Sequence, residues 1–238
     1  MSILFSLAMH KAILSWSGGK DSALALFFCQ QSGPYDLVGL LTNINEQFGR
    51  VSMHGVRTEL IEAQAQAVGL PLHTVQFPGE VSMELYNSMV KQKLTELKEQ
   101  GVTHVIYGDI FLEDLRQYRE QQLSEVGLIG VFPLWNQNTT VLLARFVQAG
   151  FKAVLVCVNE NQLPESWVGR ELDATVLKDL PPSVDPCGEN GEYHSFVYDG
   201  PVFNEPVRFQ KGEVVRRSYA SSAETNQWDT QFIFQDLI

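Results

Sequence analysis

Short apolar runs alternate along this chain with longer stretches whose apolar positions return every three or four residues. The runs beginning at Lys11 and covering 36–42, 72–77, 104–107, 128–132 and 153–158 are bounded by glycine, proline or polar turns and have strand length, so they read as buried strands. Between them, 22–31, 56–68, 83–100, 112–126 and 139–149 read as helices. Several have their own stop signals: Gly33-Pro34 after the first, Gly69 before Pro71 after the second, Gly101 after the third. Strands and helices alternate from Lys11 to about Val158, which predicts an α/β fold with a parallel sheet, right-handed crossovers and helices on both faces. From Asn159 onward the spacing loosens, and 208–238 reads as short strands and turns. A smaller C-terminal α+β region is therefore expected. The boundary is placed at 130/131, giving domains 10–130 and 131–238, within a window from 127 to 159.

The most informative break in the pattern comes where the first run ends. Ser17-Gly18-Gly19-Lys20-Asp21-Ser22 separates the strand from an apolar helix. Adjacent glycines let the backbone turn and present its N–H groups, the helix that starts near Lys20 directs its positive end at the same spot, and Lys20 adds a full charge. This predicts a phosphate site. It is not a Walker A loop, which needs glycine where Leu14 stands and Ser or Thr where Asp21 stands, and no G-x-G-x-x-G spacing passes through Gly18 and Gly19. The six residues match the SGGxDS loop of the PP-loop ATP pyrophosphatases, to which the segment is similar at every fixed position. That resemblance implies cleavage of ATP between its α and β phosphates.

Composition narrows the partners. The 238 residues suffice for one large or two modest domains, and 28 acidic against 17 basic residues give a net charge of -11 with no lysine or arginine run, so the footprint of an RNA or DNA binder is missing. Residues 1–9 are apolar but short and lack a basic start; they read as an extra N-terminal stretch, with Met9 an alternative start. No segment has the length of a membrane span. Cys29, Cys157 and Cys187 lie far apart with no C-x-x-C, which fits a reducing, cytoplasmic setting and argues against a zinc or iron–sulfur site.

Three further clusters carry polar chemistry. His54 and Arg57 stand at a helix start facing the same sheet edge as the phosphate loop, or form an ordinary solvated helix start. Gly108 and Asp109 close a strand at the ligand edge, where a carboxylate can hold magnesium or a ribose; Arg116 and Arg119 follow on one helix face, beside acids that would equally make a surface salt-bridge lattice. The densest cluster runs from Asp185 to Val197, in which Glu189, Glu192 and His194 can bind magnesium, orient ammonia or take a proton from it, or else make an acidic surface turn.

Taken with the phosphate loop, the stretches MHGVRTELIEAQAQAVGLPL, GDIFLEDLRQYRE, Pro133-Leu134-Trp135, Trp167-Val168-Gly169-Arg170 and GENGEYHSFVYDGPVF make the chain resemble the diphthine–ammonia ligase family from Lys11 to about Arg208. The resemblance implies a Rossmann-like domain of the adenine-nucleotide hydrolase type, a second domain carrying the GENGE loop, and use of ATP, Mg2+ and ammonia. A carboxylate on a small molecule or a modified protein residue attacks the α phosphate, and ammonia then displaces AMP. Mapped onto this sequence, Ser17, Gly18, Gly19, Lys20, Asp21, Ser22, Thr42, His54, Gly108 and Asp109 serve the nucleotide, with Asp21 the magnesium ligand. Lys20, Glu189, Glu192 and His194 serve catalysis, and Arg57, Arg116, Arg119, Arg170 and Asn190 serve the substrate. The diphthamide-making members carry Glu-Gly-Gly-Glu-x-Glu where this chain has Glu189-Asn190-Gly191-Glu192-Tyr193-His194; the latter form resembles a bacterial branch linked to cobalamin salvage rather than to elongation factor 2. A tRNA-modifying PP-loop enzyme and a nucleotide sensor without chemistry are the competing readings, and a homodimer is left open.

Overall fold

The computed structural model describes residues 9–51, 55–219 and 230–238. The expectations for 1–8 and for His54 lie outside the described residues. In chain order the elements are β1 (His10–Ser15), α1 (Lys20–Gln31), β2 (Tyr35–Asn45), β3 (Arg50–Val51), α2 (Thr58–Val68), β4 (Leu72–Phe77), α3 (Met83–Glu99), β5 (His104–Ile106), α4 (Glu113–Val126) and β6 (Ile129–Val131). They continue with α5 (Thr139–Gln148), β7 (Lys152–Asn159), α6 (Val176–Asp179), β8 (Tyr193–Asp199), β9 (Lys211–Tyr219) and β10 (Thr230–Leu237).

The first sheet is the expected Rossmann-like core. β1 pairs parallel with β2 on one side and β5 on the other; β4 continues the sheet beyond β2, and β6 beyond β5. Both faces are covered, and β1 shows how. Ala12 and Leu14 join one buried cluster with residues of α1 and α2, whereas Ile13 between them joins another with Leu94 and Leu97 of α3 and Leu123 of α4. Successive strand residues point to opposite faces, so a strand buried on both sides reads as a continuous apolar run. The helix stops were also legible: α2 ends with Gly69 at φ 78° and Gly101 follows α3 at φ 92°, both in the left-handed region that glycine adopts without strain.

Three readings of the sequence need correction. β7 is not a further strand of the parallel sheet; it belongs to a second, antiparallel sheet of order β8-β7-β10-β9. Its residues 153–158 are buried throughout, and such a run carries no information about which sheet it joins. The strand expected over 36–42 continues through Asn45 as β2, which runs past the end of β1 and folds back through β3 as an antiparallel arm. The tail holds longer strands than the short ones expected, β9 and β10, paired with each other and, through β10, with β7.

The two sheets share one core. Leu14, Ala23 and Leu26 from the first unit lie in the same buried cluster as Val154, Phe196 and Ile233 from the second. α1 is the element between them. Its Ala23, Leu24, Ala25 and Leu26 are all buried, and its side away from the parallel sheet meets β8. A helix apolar on every side has no solvent face, and the small alanines allow close approach from both directions.

Candidate functional site

β1 and β5 are neighbours whose chains leave the sheet in different directions, and at such a switch point the carboxyl ends of parallel strands open a crevice. A cleft of about 610 Å³ lies there. Its floor is the turn from β1 into α1, one wall is the Tyr107-Gly108-Asp109 turn after β5, and the opposite wall is the loop that enters β8.

The turn at the floor depends on glycine. Gly18 has φ +80°, and a Cβ there would lie 2.6 Å from both Gln64 Oε1 and Ile61 Cδ1. At the β5 end, a Cβ on Gly108 would come within 2.8 Å of the Asp21 carbonyl carbon, so only glycine lets this turn press against the first turn of α1. With Gly19 as its N-cap, α1 offers no side chain to its own leading amides. The Lys20 amide is instead donated to Ser195 Oγ of β8, at 3.1 Å. Helix geometry leaves the amides of Asp21 and Ser22 without intrahelical acceptors, which is the feature that binds anions.

Gln64 of α2 locks this turn. Fully buried, its carboxamide donates to Gly18 O at 3.0 Å and to Val197 O at 2.5 Å, and accepts from Trp16 Nε1 at 2.9 Å. The Val197 amide also donates to Gly18 O, at 2.9 Å. The phosphate loop is thus held from behind by a helix packed on the parallel sheet and a strand of the antiparallel one.

Lys20 is 5% exposed, yet its ammonium reaches the cleft, 2.7 Å from Asp21 Oδ2 and 5.2 Å from the Tyr193 ring centroid. Burial is the largest single influence and opposes its charge, but Asp21, by charge and hydrogen bond, together with smaller contributions from Tyr193 and Cys187 raises its pKa above the usual lysine value, so Lys20 is protonated at any physiological pH. Glu189 comes from the opposite wall. Its Oε1 accepts from the Ile110 amide at 2.7 Å, with Phe111 N at 3.4 Å, so the acidic loop is pinned to the turn after β5. Burial, only partly offset by the Ile110 amide, pushes this carboxyl up to about 7. That is where a general base is most effective at neutral pH.

Asp109 is clasped by Arg119 through contacts of 2.6 and 3.2 Å, and the Arg119 guanidinium lies 4.2 Å from the Tyr107 ring centroid. Ser17, Ser22, Asn190 and His194 also line the cleft. Glu192 is 3% exposed and its carboxylate accepts from the Asp185 and Asn190 amides, both at 2.9 Å, and from Asn190 Nδ2 at 3.1 Å. It holds the loop's shape. Thr42 gives its hydroxyl to Trp16 O at 2.5 Å, behind the phosphate loop. Arg116 lies over the rings of Phe132 and Trp135 and pairs with Glu120 at 2.8 Å, Arg57 pairs with Asp236 of β10, and Arg170 pairs with Asp179 of α6. None of these arginines lines the cleft.

Tyr193, Ser195 and Phe232 complete the site without having been marked by sequence reasoning. Ser195 and Tyr193 stood inside the acidic cluster already singled out, where alternation with the buried Phe196 was the available signal. Phe232, from the last strand, carried none.

Comparison with known proteins agrees with this arrangement. A family model described as the diphthamide synthase N-terminal domain matches residues 9–129, and one described as the diphthamide synthase C-terminal domain matches residues 138–229. The chain is similar to proteins named diphthine–ammonia ligase. It is 27% identical over 222 residues to that of Schizosaccharomyces pombe, covering 85% of this chain and 36% of that protein. It is 27% identical over 228 residues to that of Bos taurus and 27% over 224 residues to that of Homo sapiens, in each case covering 85% of this chain and 84% of the relative.

Proposed function

Because the chain belongs to the diphthamide synthase family, we propose that it is an ATP-dependent ligase that makes an amide from a carboxylate and ammonia, releasing AMP and pyrophosphate. The observation that carries this is the joining, in one cleft, of a protonated lysine at a phosphate turn and a carboxyl that titrates near 7 on the facing wall.

The residues take the following parts. The turn 17–22 and Lys20 hold the β and γ phosphates, and Lys20 stabilises the charge that develops on pyrophosphate as it leaves. The acceptor carboxylate attacks the α phosphorus, the bond to the bridging oxygen breaks, and an acyl adenylate forms. Ammonia then adds to the acyl carbon, AMP leaves with the electron pair of the acyl–oxygen bond, and Glu189 takes the proton that the nitrogen sheds. His194 stands on the same wall to orient the nitrogen, and Asn190 and Arg119 face the acceptor. Glu192 acts through the loop it holds. Domains 10–130 and 131–238 divide this work between nucleotide and acceptor.

Magnesium fits the residues present. Asp109 is engaged by Arg119, but Asp21 is partly open to the cleft and, among the described residues, only its Oδ2 is paired, which leaves an oxygen for a cation that shares its remaining ligands with phosphates and water. When bound, the ion would neutralise phosphate charge. No group of three or more His, Cys, Asp or Glu suited to a metal occurs among the described residues.

The relatives are named for diphthine, and this chain's Asn190 and His194 stand where the diphthamide-making pattern has Gly and Glu. We therefore assign it a carboxylate on a small molecule or a modified protein residue, used in the cytoplasm; no helix among the described residues is long and apolar enough to cross a membrane. The tRNA-modifying alternative wants a reactive cysteine. Cys187 is 2% exposed, its thiol lies 3.4 Å from Thr139 O, and burial pushes it up to about 12, which suits packing rather than sulfur transfer. The deciding experiment incubates the protein with ATP, ammonium and candidate acceptors and separates the nucleotides: AMP with pyrophosphate is expected, whereas ADP with phosphate rules the reading out.

A further inference from the structure

A second concavity, of about 540 Å³, lies between the β2–β3 arm and the outer strands of the second sheet. Strand β10 runs from one to the other. Phe232 of β10 lines the cleft, and Phe234 and Asp236 of the same strand line the second pocket. Alternate residues of a strand share a face and repeat every ~6.7 Å, so one face of β10 leads out of the cleft and into the pocket.

Arg217 stands at the join. It is the partner of Phe232 across the β9–β10 ladder, which puts both side chains on one face of the sheet. Its guanidinium lies 5.6 Å from the ring centroid of Phe48 and 5.8 Å from that of Phe234. Among the described residues it has no carboxylate within ion-pair distance, which distinguishes it from the other arginines here. Asp236 is already matched twice, by Arg50 at 2.8 Å and Arg57 at 2.6 Å; burial would raise its carboxyl, but the two arginines hold it down at about 2. Glu80 is exposed on the rim. Among the described residues that line the pocket, Arg217 and Glu80 have no ion-pair partner, and of the two it is the positive one that stands beside the aromatic rings.

We infer that this pocket binds the far end of the acceptor, and that the acceptor is an acid with a flat apolar body and a second anionic group. The body lies on Phe48 and Phe234, the second anion pairs with Arg217, and the reacting carboxylate extends past Phe232 into the cleft. Guanidinium groups bind carboxylates through two parallel hydrogen bonds and do so best when already stacked on rings. Pockets at the meeting of two domains are common ligand sites, and binding energy gained far from the reacting atoms is what orients them. The name acceptor rests on the ligase reading; the anion site does not.

The test uses the full chain saturated with a non-hydrolysable ATP analogue and titrated calorimetrically with terephthalate and with benzoate. Terephthalate should bind at least ~10-fold more tightly than benzoate, as one added charge-assisted contact provides. Arg217→Ala should abolish that difference while leaving affinity for the ATP analogue unchanged, Arg217→Lys should restore part of it, and Phe48→Ala should weaken both acids. Equal affinities in the unmodified protein, a preference that survives Arg217→Ala, or no binding of either acid at millimolar concentration would each overturn the inference. The nucleotide products decide the ligase reading separately: AMP without a terephthalate preference removes this site and keeps the ligase, and a preference that depends on Arg217 without AMP keeps the anion site and removes its role as acceptor end.

Discussion

Glu189 rests its carboxyl on the amides of Ile110 and Phe111, and burial lifts it to about 7. Two opposite pH effects follow. A carboxyl whose folded pKa is raised favours folding while protonated, so its contribution to stability is present below the ordinary carboxylate range and is lost as pH rises through about 7. Its work as a base runs the other way. The amidation rate, expressed per free ammonia, should climb with pH and level off above about 7, and Glu189→Gln should lower it ~100-fold or more and flatten the profile. Initial rates across pH, with melting temperatures on the same samples, check both; a profile unchanged in Glu189→Gln would show that another group takes the proton. Lys20→Ala should cost at least ~100-fold in rate, as expected when a charge aimed at developing pyrophosphate is removed.

Among the elements, β8 does the least expected work. Ser195 accepts the Lys20 amide and Val197 bonds with Gly18, so a strand of the second sheet finishes a loop encoded far earlier in the chain. Gln64 makes the arrangement sensitive to chemistry as well as shape: its nitrogen faces two carbonyls and its oxygen faces the Trp16 donor. Gln64→Glu should set a carboxylate oxygen against those carbonyls, destabilise the fold by about 1–3 kcal/mol in urea titrations, and weaken binding of an ATP analogue. Ser195→Ala should weaken the analogue with a smaller loss of stability, and Ser195→Thr should recover most of it. If both Ser195 variants bind the analogue like the unmodified protein, the cross-domain bond is only packing.

At the scale of the whole molecule, the shared core makes the two sheets one cooperative unit. Leu14 and Ala23 are buried in the same cluster as Val154 and Phe196, and Arg50 and Arg57 of the first unit clasp Asp236 of the last strand. Urea unfolding followed by tryptophan fluorescence and by far-ultraviolet dichroism should therefore give coincident transitions. A fragment of residues 1–130 should lose binding of the ATP analogue even though it contains the entire turn 17–22, because Ser195 and Val197 are absent and α1 exposes its apolar side. Full-strength binding by that fragment would contradict the composite loop.

The sequence by itself determined what depends on neighbours along the chain. Backbone conformation at Gly18-Gly19, the helix that follows, the stops at Gly69 and Gly101, and the doubly buried strands of the parallel sheet were all legible, because turn chemistry and hydrophobic period are local properties. So was the cluster 185–197, whose density of acids and glycines is unlike a packing segment. The tertiary structure alone decided what depends on pairing at a distance. β7 has the same texture as a parallel strand, and only its antiparallel ladders with β8 and β10 assign it to the second sheet. Glu189 and Glu192 look equivalent in sequence, yet one faces the amides of the turn after β5 in the cleft and the other is enclosed by its own loop. Phe232 came to the cleft, and Arg217 to the neighbouring pocket on the same sheet face, through strand register, which spacing along the chain does not encode.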